Sequence, residues 1–254
     1  MRVVRAGFIP LLDPYLKTTR AKKHLEDLRE RLTGFGKEPC EFFREDDAHN
    51  GWHIIRMQVK DIPDDITLIF GDLLYCLRSS LDQLVWCLAK INATPGYPEQ
   101  TQFPILEQRD IARFNRQTSG VPAEAARIIE SLQPYNAPTL DATRENILWR
   151  LNKLCNIDKH ARIPVRGTTG LITWDTFVRW GEEAIFTEFD DHAEMKIPLS
   201  RKNELALYPR TPEFKVLFGD LYWNIQCDFA DVEAIYEFVT NRLIPRFAGF
   251  FSKQ

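Results

Sequence analysis

Residues 64–91 read DDITLIFGDLLYCLRSSLDQLVWCLAKI. Ile66, Phe70, Leu73, Leu77, Leu81, Leu84 and Leu88 recur every three or four positions, which predicts a long helix with one broad apolar side. At about 100° per residue, Tyr75, Arg78, Ser79, Asp82 and Trp86 fall together on the other side. Arg78 and Asp82 are neighbours one helical turn apart.

Upstream, Asp13 and Pro14 open a charged helix that runs to about Leu32 and ends at Gly34 and Gly36. Residues 41–60 read as a β-hairpin. Asn50-Gly51 suits a two-residue type I′ turn, which would set His49 opposite Trp52 and Glu45 opposite Arg56. Phe42, Ala48, Ile55, Met57 and Val59 would form its core-facing side. Downstream, Pro95, Pro98 and Pro104 mark a loop in which residues 101–106 form an extended piece docked by its apolar side chains. Helices are expected near 109–116 and 123–133, the second ending at Pro134. Asp141 is a candidate cap for the next helix, whose apolar side holds Ile147, Leu148, Leu151, Leu154 and Cys155. Glu145, Trp149, Asn152, Asn156 and His160 align along another face of it.

After Pro164 the texture changes to short β-type runs at 169–178, 183–189, 194–199 and 213–218, read as a small antiparallel sheet. A last helix is expected over 221–251, kinked at Pro245, with Val232, Ile235, Val239, Leu243, Phe247 and Phe250 on its buried side. The expected fold is therefore α+β, a mainly helical bundle with an amino-terminal hairpin and a sheet inserted before the closing helix. One domain, 1–254, would hold a helical core (14–34, 63–160 and 221–251), the hairpin 41–60 and the β insert 165–218.

The 254 residues are 44% hydrophobic and 27% charged, an ordinary globular composition, and a net charge of −3 provides no global attraction for nucleic acid or an anionic membrane. Cys40, Cys76, Cys87, Cys155 and Cys227 are odd in number and widely spaced, which fits reduced thiols in a cytoplasmic protein. Pro10 and Pro14 interrupt the first apolar run, which argues against a signal peptide. No apolar stretch approaches the roughly 20 residues of a membrane span, so no membrane partner is expected.

Several chemistries lack their motifs. There is no Gly-rich phosphate loop, no dinucleotide fingerprint and no Cys-x-x-Cys, and Ser119-Gly120-Val121-Pro122 is not a nucleophile elbow. His49 and His53 have the spacing of a metal pair, but an Asn-Gly turn between them would place them on opposite faces of a hairpin. No metal or cofactor is expected.

Two polar groups remain. Arg78 and Asp82 read either as an ion pair bridging two helices or as part of a site shared with the helix that carries His160. Asn156-Ile157-Asp158-Lys159-His160 reads either as a helix end whose cations complement the dipole, or as a proton-transfer site. In the second case His160 moves a proton, while Lys153, Arg162 or Arg78 stabilises the charge of a phosphodiester under cleavage, without a metal.

Gly71-Asp72, Leu77 to Asp82, Phe103-Pro104-Ile105, Gln133-Pro134-Tyr135, Asn156 to His160 and the closing Arg246-Phe247 resemble the recurrent blocks of an uncharacterised family of bacterial proteins of about this length. More distantly, an Arg and a His on paired helices resemble the HEPN superfamily, which includes metal-independent ribonucleases of toxin and phage-defence systems. That resemblance implies a helical homodimer with RNA as substrate. HEPN ribonucleases carry an Arg a short distance before the catalytic His, where this chain has Cys155, Leu154 and Lys153. Lys lacks the planar bidentate grip of Arg, so Arg78 or Arg162 would have to stand in.

Two functions follow. One is an HEPN-like RNA-binding or ribonuclease effector, with His160, Lys153 and Arg78 as the reactive and phosphate-binding groups, and Asp82, Asn152, Asn156, Asp158, Lys159 and Arg162 around them. The other is a non-catalytic structural or protein-interaction module in which the Arg/Asp and Asn/His groups form a buried network that locks helices together.

Overall fold

The computed structural model describes residues 11–91, 101–169, 185–188, 192–207, 214–220, 222 and 224–252. The segment through residue 10, Pro95, Pro98 and nearly all of the expected strand 169–178 lie outside them. Helix α2 spans Asp64–Ile91, and all seven apolar positions that predicted it are fully buried. Helix α1, Leu12–Phe35, lies antiparallel to it: Arg31 pairs with Asp65 at one end, and Lys17 sits over the Tyr75 ring further along. Ala21, Leu25 and Leu28 form the stripe that α1 buries.

The hairpin is β1, Cys40–Asp47, and β2, Trp52–Val59, but its register differs from the expected one. Asp47 is opposite Trp52, Glu45 opposite Ile54, and Phe43 opposite Arg56, a slip of two residues. The turn is wider because the Asp47 carboxylate accepts both the Asn50 backbone N–H (3.1 Å) and its side-chain amide (2.8 Å), drawing Ala48 and His49 into the loop. Gly51 still supplies the positive φ of 73° that the turn needs. The expected apolar side is only partly buried: Met57 is covered, while Phe42 on the edge strand is 53% exposed.

The strands of the β insert are divided between two sheets. Of the strands β3 (Val165–Thr169), β4 (Ile185–Glu188), β5 (His192–Pro198), β6 (Phe214–Asp220) and β7 (Ile225–Cys227), two join the hairpin in a four-stranded antiparallel sheet, order β1-β2-β5-β4. The others form a three-stranded sheet, order β3-β6-β7. The free edge of β2 offers an unpaired ladder of backbone groups, and β5 fills it.

Helices α3 (Ile111–Gln117) and α4 (Ala123–Ser131) follow the docked segment 101–106. Asp141 does not cap the next helix. Thr139 caps a short α5, Leu140–Glu145, and the Asn146 side chain, accepting the Leu148 and Trp149 N–H groups, starts α6, Ile147–His160. The last helix begins later than expected. Residues 225–227 are strand β7, and Asp228 and Asp231 form a capping box that opens α7, Phe229–Glu237. The chain continues as a π-helical turn, Phe238–Leu243, and a 3₁₀ segment, Ile244–Phe250. These departures from α geometry surround Pro245, which lacks an N–H and crowds the preceding turn.

One hydrophobic cluster joins α1, α2, the 103–106 segment, α4, α6, β6, β7 and α7. Within it the Phe70 and Phe218 rings lie 4.1 Å apart, tying α2 to the three-stranded sheet. Among the described residues, no helix is long and apolar enough to cross a membrane.

Candidate functional site

The polar side of α2 is built around a clamp. Phe103, Ile105 and Leu106 enter the core, so their backbone passes through surroundings where its polar groups need partners. Asp82 accepts the Phe103 N–H at 2.9 Å, and Arg78 donates to the Phe103 carbonyl at 2.8 Å. The two side chains also pair with each other at 3.2 Å. A third side chain completes the clamp: Gln133 accepts the Leu106 N–H and donates to the Pro104 carbonyl. The expected ion pair of Arg78 and Asp82 is present, but the element it bridges to is an extended strap and not a neighbouring helix.

Arg78 is not fully used by this clamp. The residue is only 9% exposed, and its Nη1 is buried without a hydrogen-bond partner among the described residues. Arg78 lines a cleft of about 150 Å³ together with Tyr75, Ser79 and Asp82 of α2. Cys155, Asp158 and Lys159 of α6 form the facing wall. The two faces singled out in the sequence therefore meet.

They meet at one turn of α6. Its apolar positions Leu151, Leu154, Cys155 and Ile157 are buried, which turns Asp158 and Lys159 toward the edge of α2. Close approach depends on Gly71, where a Cβ would lie 2.7 Å from Asp158 Oδ1. Burial, and secondarily the negative charge of Asp72, holds the Asp158 carboxyl above its ordinary range. The Asp82 carboxyl is also raised, since burial outweighs the opposing pull of Arg78 and of the Phe103 N–H. Burial pushes the Cys155 thiol up to about 12, which leaves it an inert wall of the cleft.

Arg78, Asp82, Asp158 and Lys159 are thus together, and the remaining expected residues are elsewhere. His160 and Asn156 are exposed, Asn152 and Lys153 are half-buried, and none of the four lines the cleft. Arg162 is exposed and hydrogen-bonded to Asp64 at the start of α2. The hydrogen-bonded group of Arg78 and Asp82 ties α2 to the strap at Phe103 and not to a second helix, and it does not include Asn156 or His160. Trp149, on the same expected line, is buried in the core.

Tyr75 and Ser79 were visible on the polar side of α2. Gln133 and Gly71 were not assigned roles, although an isolated Gly inside a strong helical pattern, about 1 kcal/mol worse than Ala, signals a close contact. Cys155 was read only as an apolar position. Among the described residues, no group of three or more His, Cys, Asp or Glu side chains is arranged to hold a metal. No family model matches the chain, and neither a curated protein nor a solved structure matches it.

Proposed function

We propose that this protein binds RNA through the cleft between α2 and α6, with Arg78 and Lys159 contacting phosphate. The observation that carries the reading is the Arg78 guanidinium. Asp82 and the Phe103 carbonyl hold it in place on one side, and its Nη1 has no hydrogen-bond partner among the described residues. A fixed, buried guanidinium beside an ammonium suits a phosphate group, because the donors are ordered before the anion arrives. The distant HEPN resemblance supplies the choice of RNA, together with the homodimer and the bacterial defence or toxin setting that belong to this proposal.

Binding is favoured over cleavage. His160, the candidate proton carrier, lies outside the cleft, and among the described residues of one chain no other histidine lines it. Cleavage by His160 would require the ligand to extend past Lys159 to the end of α6, or a second copy to complete the site.

The test is fluorescence anisotropy with a labelled single-stranded RNA, alongside gel analysis of the same RNA in chelator. Wild type should bind, Lys159→Ala should bind about tenfold more weakly or worse, and His160→Ala should bind like wild type. Equal binding by wild type and Lys159→Ala, or no binding by either, would overturn the assignment. Cleavage by wild type that His160→Ala abolishes would replace the binding reading with the ribonuclease reading.

A further inference from the structure

The shape and charge of the cleft narrow its ligand. A single strand held along its backbone needs a run of cations spaced like its phosphates. This chain has a net charge of −3, and the cleft gathers Arg78 and Lys159 at one place. At about 150 Å³ the cleft has room for a phosphate group, and it is open enough for the rest of the strand to lie outside it. The clamped strap occupies one side of the Arg78 guanidinium, which leaves the cleft between α2 and α6 as the side for a ligand.

A phosphate at the end of a strand meets these conditions better than one within it. It carries more negative charge, close to −2 at neutral pH, and it offers three terminal oxygens as acceptors where a diester offers two. The donor side chains that line the cleft are the Arg78 guanidinium, the Lys159 ammonium and the Ser79 hydroxyl. Beside them Tyr75 is 58% exposed, with Lys17 Nζ over one face of its ring at 5.2 Å from the centroid, and an exposed aromatic side chain is what an unstacked terminal base uses. Asp158 stands on the opposite lip as a carboxylate that opposes the anion.

We infer that the cleft recognises the terminal phosphomonoester of an RNA strand, with Arg78 and Lys159 as charged donors and Tyr75 as the platform for the end base. This rests on the RNA-binding reading of the same cleft.

One short RNA with an internal fluorophore separates the two claims, prepared with a 5′-phosphate, with a 3′-phosphate and with neither. Anisotropy titrations would use wild type, Lys159→Ala and Asp158→Asn, each first shown to be folded by circular dichroism. One phosphorylated form should bind about tenfold or more tightly than the hydroxyl-ended form, and which end it is identifies the source of the phosphate. Lys159→Ala should erase that preference, Asp158→Asn should enlarge it severalfold, and inorganic phosphate should compete. Equal binding of all three RNAs, or an undiminished preference in Lys159→Ala, overturns the end-recognition inference while RNA binding stands. No binding of any of the three by folded wild type overturns both.

Discussion

Gly71 of α2 lies directly under the carboxylate of Asp158 of α6: a Cβ added to Gly71 would be 2.7 Å from Oδ1 and 2.9 Å from Oδ2. The contact couples the helix that holds Arg78 to the helix that holds Lys159. It sets how closely the two walls of the cleft approach.

Replacing a helical Gly by Ala ordinarily stabilises by about 0.5–1 kcal/mol. Gly71→Ala should not show that gain, because the added methyl must displace Asp158. In the Asp158→Ala background the same substitution should show it, giving a coupling energy of about 1 kcal/mol by urea denaturation. Additive effects would mean that the two residues do not touch.

The Arg78–Asp82 clamp predicts a graded series at position 82. Asp82→Ala leaves the Phe103 N–H and the Arg78 guanidinium without their acceptor, and should cost about 1–3 kcal/mol. Asp82→Asn keeps a neutral acceptor for Phe103 and should cost less. Equal losses in the two variants, measured as shifts in urea midpoint, would argue that the hydrogen bond to Phe103 contributes nothing.

The pH dependence has a definite sign. Burial, with Asp72 adding to it, raises the Asp158 carboxyl above the ordinary carboxylate range. The folded chain therefore binds its proton more readily than the unfolded chain does. The resulting stabilisation is full below the unfolded pKa and is lost as pH rises through the folded one. Denaturation midpoints of wild type relative to Asp158→Asn should consequently fall from about pH 4 upward until Asp158 is fully ionised. The difference matters because Asp46, Asp47 and Glu194, whose carboxyls are lowered by hydrogen bonds, slope the other way in both proteins. A constant gap across pH would show that Asp158 titrates normally.

The cysteines should differ sharply in reactivity. Cys40 is partly exposed on the edge strand, whereas Cys76, Cys87, Cys155 and Cys227 are buried, Cys155 with its thiol at about 12. In native protein at pH 8, peptide mapping after iodoacetamide treatment should find Cys40 modified first and Cys155 last. Prompt modification of Cys155 would mean that the cleft opens much further than its native geometry allows.

The helices were the most legible part of the sequence, for a physical reason. An apolar stripe such as Ile66 to Leu88 repeats over many turns, so its period is unambiguous. Sheet partners were hidden because β2 pairs with β5 across more than a hundred residues, and no local signal selects that neighbour. The hairpin slip came from one carboxylate, Asp47, capturing Asn50 in competition with the tight turn. The start of the last helix was misplaced because the capping pair Asp228 and Asp231 was passed over in favour of the apolar pattern around it. For the cleft, the helical wheel grouped Arg78 with Asp82, and the two lie together there because burial leaves polar residues on one side of α2. It overextended on α6, where Asn152, Asn156 and His160 share a line with each other but not with the cleft. Only the turn carrying Asp158 and Lys159 faces α2, and that depended on the depth of packing at Gly71.

The most direct test of RNA binding between α2 and α6 is ultraviolet crosslinking of a short single-stranded RNA to the wild-type protein, with the adducts located by peptide mass spectrometry. The account predicts adducts at Tyr75 or within the α6 segment from Cys155 to Lys159, suppressed by excess unlabelled RNA. Adducts confined to other elements, such as the exposed strand β1 with Phe42 and Phe43, would contradict it.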